Sequence, residues 1–198
     1  MITSPRGEAR ARERVPFKPS GRSEPLDDLD VEWKQRLEEA QRRARESGRC
    51  DVADYLFLRA ENDAARNVGL EWLLDSFTSL AGEANRAGAT LQLAREDSHR
   101  FPFGNSTMVG ARLTLRAGVR TLTVEAGWPR TPGDGIVRGG GLANGRIAHF
   151  GNRSAGEDLL LARSAGGSPQ WFVIEPAGTR TPLAEERMRR HLAHLLNT

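Results

Sequence analysis

Apolar and polar residues alternate along residues 108–126, and this pattern constrains the fold more than any other feature of the chain. A period of two is typical of a β-strand with one buried face. Ala117-Gly118 interrupts the alternation and suits a two-residue turn. We therefore predict an antiparallel hairpin in which Leu113 pairs with Leu122 and both apolar sets share one face. The sets are Val109, Ala111, Leu113 and Leu115 in 108–116, and Leu122, Val124 and Ala126 in 119–126.

A helical period precedes this hairpin. The apolar residues between 70 and 84 recur at steps of three and four, which predicts an amphipathic helix over 68–87 that ends at Gly88. Trp72 falls on the polar side of that helix. Because a large exposed aromatic side chain usually has a cover, Trp72 is a candidate contact for the preceding helices or for a partner protein.

Residues 31–66 are predicted to form an N-terminal helical segment. The first helix, 31–48, carries a narrow apolar seam that we expect to lean on the domain or on a second copy of the chain. Its Trp33 is the second candidate partner contact. Residues 51–66 also have a helical pattern, although their nearly continuous apolar run leaves a strand at 52–58 as an alternative. The seam consists of Trp33, Leu37, Ala40 and Ala44.

Residues 1–30 are rich in Pro, Ser, Gly and Arg and contain few large apolar side chains. Such a segment buries too little surface to offset the entropy of ordering, so we predict a disordered arm. The first 22 residues are basic, and an acidic patch follows from Glu24 to Glu32. The arm is then either a solvated tail or a segment that docks on an acidic partner.

Further strands and one more helix are predicted around the hairpin. Residues 89–93 favour a strand that leads into a polar loop over 96–107. Strands are also predicted at 145–150, 158–163 and 170–175, and a terminal helix at 182–196 with Thr181 as its N-cap. The expected buried stripe of that helix is Ala184, Met188, Leu192, Leu195 and Leu196.

These elements predict an α+β fold. An antiparallel sheet of five to six strands would be packed on one face by a long helix and a C-terminal helix, with N-terminal helices and a disordered arm before them. The predicted divisions are a disordered arm at 1–30, a helical segment at 31–66 and an α+β domain at 67–198.

Composition bears on the cellular compartment and on the kinds of partner. The chain has a single cysteine, Cys50, no signal-like apolar run near its start and no stretch of about 20 apolar residues, so we expect a cytoplasmic protein without a membrane partner. The net charge is +3, but only two of the basic residues are lysines and both signs are dispersed along the chain. This distribution makes a nucleic-acid partner unlikely in our interpretation.

The connection at 127–141 is the strongest candidate site, since it follows a well-defined strand and combines glycines and prolines with aromatic and charged side chains. Two arginines on such a rim suit a carboxylate or phosphate, with a tryptophan as an apolar wall. The alternative is a long connection in which Gly and Pro only supply turns. The ligand-binding hypothesis covers Trp128, Arg130, Asp134, Arg138 and His149.

No residue set has the spacing of a catalytic or metal centre. His191 and His194 lie three apart on a helix, but the sequence places no third ligand beside them, so we expect neither a metal nor a cofactor. We therefore expect a non-enzymatic binding or adaptor module that contacts another protein or a second copy of itself. The alternatives are a small-molecule enzyme that uses 127–141 as an anion-binding rim and, last, a nucleic-acid-binding protein.

Overall fold

The computed structural model describes residues 25–48 and 50–197, with side chains at 35, 36, 38–48 and 51–196. The chain forms two compact units, Met1–Ala53 and Asp54–Thr198. Among the helices of the described residues, none is long and apolar enough to cross a membrane.

The first unit contains helix α1, Pro25–Glu46. It begins earlier than predicted, so residues 25–30, assigned to the disordered arm from the sequence, are helical instead. Proline is tolerated in the first turn of a helix because the N–H it lacks would have no partner there. Gly48 follows α1 with a φ of 71°, as a C-terminal glycine should. The rest of the predicted arm lies outside the described residues.

Helix α2 runs without interruption from Cys50 to Arg86. The sequence predicts two helices here, with a strand at 52–58 as an alternative. The helical pattern at 51–66 is confirmed, but the strand and the break near residue 67 are wrong, because the helix continues through Gly69, where it packs closely on Leu161. The predicted end at Gly88 is confirmed by its φ of 103°. The apolar stripe of this helix is buried at Leu70, Leu73, Leu74, Phe77, Leu80 and Ala81.

The second unit is built on one antiparallel sheet, which confirms the predicted α+β class. Its seven strands are adjacent in chain order, so the sheet is a simple meander and has one strand more than the upper prediction. Helix α3 follows the last strand. The elements are β1 Gln92–Phe103, β2 Ser106–Ala117, β3 Arg120–Trp128, β4 Ala143–His149, β5 Asn152–Arg163, β6 Pro169–Ile174, β7 Arg180–Pro182 and α3 Glu185–Asn197.

Most of the predicted loop at 96–107 is part of strand β1. Residues 99–103 pair with β2, after a bulge between Glu96 and His99. The polar composition misled the prediction because β1 is the edge strand of the sheet, where charged side chains, a bulge and Pro102 are common devices against unwanted pairing.

The β2–β3 hairpin has a register that differs from the prediction by two positions. Leu113 pairs with Val124 rather than with Leu122, because the turn is Gly118-Val119 rather than Ala117-Gly118. Gly118 has a φ of 59° and no non-glycine residue among those described has a positive φ, which fits a hairpin turn with glycine at its first central position. Side chains alternate with a period of two, so this shift leaves both apolar sets on the predicted face.

Helix α3 starts three residues later than predicted. Residues 180–182 pair with β6 as the short strand β7, so Thr181 lies in a strand and is not an N-cap. Pro182 is compatible with this position because an edge strand does not need its missing N–H. Ala184 is exposed rather than part of the buried stripe, whereas Met188, Leu192 and Leu195 are buried.

Helices α2 and α3 cover one face of the sheet, and the core lies between these two layers. Phe77 of α2 packs in one buried cluster with side chains of the central strands. The indole N–H of Trp171 donates to the carbonyl oxygen of Gly69 at 2.7 Å, which ties β6 directly to the backbone of α2. A Cβ atom at Gly69 would lie 2.6 Å from a methyl carbon of Leu161, so glycine allows this close approach.

We expect Gly110→Ala to destabilise the fold by about 1–3 kcal/mol or more. Gly110 pairs with Gly127, and a Cβ at Gly110 would lie 2.0 Å from the carbonyl oxygen of Ala126, a backbone atom that cannot rotate away. The matched control is Gly82→Ala on α2, where the nearest atom is the end of the Arg86 side chain at 3.6 Å. This control should stabilise the protein by about 1 kcal/mol through helix propensity. Chemical denaturation measures both; equal effects would contradict the strand pairing.

Candidate functional site

The loop between β3 and β4, the predicted ligand rim, is fastened at three points to neighbouring strands. Asp134 accepts a hydrogen bond from Arg100 Nη2 at 2.8 Å. The backbone N–H of Ile136 donates to the Ser106 hydroxyl at 3.2 Å. The carbonyl oxygen of Gly139 accepts from Arg180 Nη2 at 2.9 Å. The loop between β3 and β4, which we call the strap, therefore links β1 and the β1–β2 turn to the start of β7.

Two of the predicted ligand residues are used within the protein itself. Trp128 is only 2% exposed and belongs to the core, and Arg130 places its guanidinium carbon 3.8 Å from the centre of the indole ring. Such a cation–π contact favours a cation over the ring and leaves that face closed to a ligand. The strap at Asp134 is reinforced by hydrogen bonds from Thr131, which together with the Arg100 charge hold the pKa of this carboxyl below its usual value.

Arg138, the fourth predicted ligand residue, lines a cavity of about 300 Å³ beneath the strap. Leu160 and Asn144 form its floor, and both alternate along their strands with core residues, so the cavity lies on the sheet face opposite the helices. Its remaining lining is mostly apolar. This is the only part of the 127–141 hypothesis for which the structure offers an accessible space among the described residues.

His149, the fifth predicted ligand residue, lies at the other end of the sheet. Gly127, next to Trp128, pairs with Asn144, whereas His149 pairs with Leu122 at the far end of β3. Five residues of strand separate Asn144 from His149, which corresponds to roughly 17 Å. The structure therefore does not bring His149 together with the loop residues.

Instead His149 joins a polar cluster that the sequence did not reveal. Its Nε2 lies 3.0 Å from Nδ1 of His191 on α3, and both rings are buried. His191 Nε2 lies 3.2 Å from a carboxylate oxygen of Glu157, close enough for an ion pair but outside hydrogen-bond geometry. Arg187 Nε donates to the same carboxylate at 2.9 Å. The ring of His194 meets that of His149 edge-on at 4.6 Å. No periodicity relates these positions, because they come from three different elements.

Two groups of this cluster have pKa values that the surroundings shift. Burial, with smaller contributions from His191 and His194, lowers the pKa of His149 from 6.5 to about 4, so His149 is neutral near pH 7. Burial alone would raise the pKa of Glu157, but the contacts with His191 and Arg187 outweigh it and keep this carboxyl ionised. The cluster thus joins α3 to β4 and β5 by a neutral imidazole and a paired carboxylate.

The chemistry available to this cluster is limited. Ser154, a potential nucleophile nearby, donates its hydroxyl to Asn152 rather than to a histidine. Among the described residues, no three His, Cys, Asp or Glu side chains are arranged to hold a metal ion. A cavity of about 720 Å³ adjoins the cluster where β6 stops short of the start of β5. Most charges in its wall are already paired, as Arg146 is with Asp158.

The outward side of α2 carries a second kind of candidate surface. Phe57, Leu58, Val68 and Trp72 are 49%, 54%, 61% and 47% exposed, respectively. At about 100° per residue they fall within an arc of about 100° that lies opposite the buried stripe of the same helix. We call these four residues the outer stripe.

A small apolar cavity accompanies the outer stripe. It measures about 180 Å³ and lies between α2 and the β6–β7 edge, next to Trp72. Trp72 is the one predicted partner contact whose side chain is described, and it is about half exposed. The side chain of Trp33 lies outside the described residues, so its role stays a prediction. The cavity is lined by Val68, Gly69, Trp72, Pro169, Gln170, Trp171 and Leu183.

Comparisons of the chain with protein-family models, with curated proteins and with solved structures give no match. No relative therefore lends a function to these surfaces.

We expect the protein to lose stability as the pH falls from about 6.5 to about 4, because an unfolded histidine takes up a proton near its ordinary pKa whereas folded His149 resists until about pH 4. The unfolded state then binds more protons, so unfolding becomes easier with acid. His149→Gln should be less stable at pH 7 and show a flatter pH dependence in this window. Thermal melting followed by circular dichroism measures both slopes; identical slopes would contradict a neutral buried His149. The slopes are compared above about pH 5, because Glu157 and other carboxyls with lowered pKa values add their own loss of stability below that pH.

Proposed function

We propose that this protein is a non-enzymatic binding module that docks another polypeptide along the outer stripe of α2. The observation that carries the proposal is the set of four large apolar side chains, each about half exposed, on the side of α2 that faces away from the sheet. The outer stripe consists of two apolar pairs, Phe57 with Leu58 and Val68 with Trp72, and the exposed Glu61 lies between them. Large apolar side chains grouped in this way on one exposed side of a helix commonly mark interaction sites. We expect the module to act in the cytoplasm, as the single cysteine suggests.

The shape of this surface favours a polypeptide over a small molecule. From Phe57 to Trp72 the outer stripe spans about 22 Å along the helix axis, the length of a docked helix of similar size. The cavity beside Trp72 measures about 180 Å³. Pockets that bury a drug-sized ligand are usually about 300–1,000 Å³. We therefore assign the cavity to a single anchoring side chain of the partner.

The helix that carries the outer stripe is held firmly, which limits the entropy lost on binding. The indole N–H of Trp171 donates to the backbone carbonyl of Gly69, which lies between Val68 and Trp72 on α2. Arg163 of β5 donates to Asn62 at 3.3 Å, and Arg95 of β1 donates to Glu71 at 2.8 Å. These contacts on both sides of the stripe fix the position of Val68 and Trp72 before a partner arrives.

We expect Trp72→Ala to weaken partner binding by about 2 kcal/mol, or roughly thirtyfold, because tryptophan is among the most common hot-spot residues. Val68→Asp should have a similar effect, since it places a charge in the docked apolar surface. The matched control is Ile136→Asp, whose side chain is 71% exposed but lies on the loop after β3. All three variants should remain folded, because each changed side chain is about half exposed or more.

Two measurements apply this test. Sedimentation over a concentration series detects association with a second copy, and site-specific photo-crosslinking from position 68 in cells detects a different partner. Association that Trp72→Ala and Val68→Asp abolish and Ile136→Asp preserves supports the proposal. Monomeric behaviour together with crosslinks that do not depend on Trp72 would refute it.

A further inference from the structure

Two adjacent hairpin turns present the most exposed large apolar side chains of the described residues. Val119 in the β2–β3 turn is 93% exposed, and Phe150 in the β4–β5 turn is 84% exposed. The backbone N–H of Phe150 donates to the carbonyl oxygen of Thr121 at 2.9 Å, which holds the two turns side by side. Both side chains border one shallow concavity of about 590 Å³. We call this region, residues 116–123 and 148–154, the hairpin end.

The charges of the hairpin end have a single sign. Neither of its two segments contains an Asp or a Glu, whereas they contribute the exposed residues Arg116, Arg120 and Arg153. Arg120 points its guanidinium at the last carbonyls of α3, 3.3 Å from that of Leu196. The side chains of Arg116 and Arg153 form no hydrogen bond or ion pair with residues that the structure describes. Two cations are therefore available to an external anion beside two exposed apolar side chains.

The hairpin end is rigid enough to present these side chains together. His149, which precedes Phe150, is locked to His191 of α3 at 3.0 Å. Asn152, just after the turn, lies 3.2 Å from Nε2 of His194 on the same helix. The polar cluster that has no evident catalytic use thus anchors the β4–β5 turn from behind. The position of Phe150 does not depend on a partner.

We propose that the hairpin end docks on the surface of a lipid bilayer that contains anionic phospholipids. Val119 and Phe150 would enter the interfacial region, and Arg116 and Arg153 would meet lipid phosphates at the headgroup level. The described helices include none that could span a bilayer, so this attachment is peripheral and reversible. It revises the expectation, drawn from the sequence, that the protein has no membrane partner.

The side chains of the hairpin end favour a bilayer over a nucleic acid. An exposed aromatic ring can stack on a base, but the aliphatic Val119 has no such use, whereas a bilayer interface accepts both. A nucleic acid also needs a positive track along the surface. Here the positive surface ends within the hairpin end, because the next arginines on the same sheet face are paired, Arg112 with Glu96 and Arg146 with Asp158.

Co-sedimentation of the full chain with vesicles tests the proposal. We expect binding to phosphatidylcholine vesicles that contain phosphatidylglycerol, and weak binding to phosphatidylcholine alone. Val119→Ser combined with Phe150→Ser should reduce the partition coefficient about tenfold or more, because both apolar contacts are lost. Arg116→Gln combined with Arg153→Gln should remove the preference for the anionic lipid and the salt dependence. Ile136→Ser, at the opposite end of the sheet, is the matched control and should bind like the wild type.

A second measurement does not depend on how the serine and glutamine variants fold. An environment-sensitive fluorophore attached at Val119→Cys, in a Cys50→Ser background, should shift to the blue on addition of the anionic vesicles. The same fluorophore at Ile136→Cys should not shift. No vesicle binding, no shift at position 119, equal loss in Ile136→Ser, or tighter binding to a single-stranded RNA oligonucleotide than to vesicles would each overturn the proposal.

Discussion

The close contact of α2 with β5 and β6 at Gly69 orients the helix on the sheet. Glycine lets the helix backbone approach Leu161 to a distance that a Cβ atom would prevent, and the indole of Trp171 then reaches the Gly69 carbonyl at 2.7 Å. This contact turns the buried stripe of α2 onto the sheet and fixes which side of the helix remains in solvent. Val68 and Trp72 lie next to Gly69 at the margin of this contact, line the small cavity together with it and remain about half exposed.

The predicted ligand residues are divided between the two ends of the sheet. In a meander each turn lies at one end or the other, so the strap after β3 shares an end with the β1–β2 turn, and His149 shares the other end with the β2–β3 turn. An enzyme that combined Arg130 with His149 would need both at the same end. Strand geometry therefore separates His149 from the loop, so the anion-rim alternative keeps only Arg130, Asp134 and Arg138 and stays a prediction.

The sequence predicted the parts of the fold that depend on local periodicity and failed where the cause was not local. The alternation around Leu113 identified the buried face, but the register depended on which two residues form the turn, a difference that the pattern does not contain. The polar residues of β1 predict a loop, but β1 is an edge strand, and edge strands tolerate charged side chains. Trp72 could be singled out, since it breaks a clear stripe. The cluster of His149, Glu157 and His191 could not, because three elements must first assemble to create it.

The central claim is that the buried stripe of α2 is part of the cooperative core, whereas its outer stripe is exposed to solvent. Hydrogen–deuterium exchange of the full chain tests it most directly. The account predicts that the backbone amides of residues 70–81 exchange as slowly as those of β3, β4 and β5, and that all of them respond together to denaturant. Amides of 70–81 that exchange much faster than the sheet would show that α2 opens independently and would contradict the account.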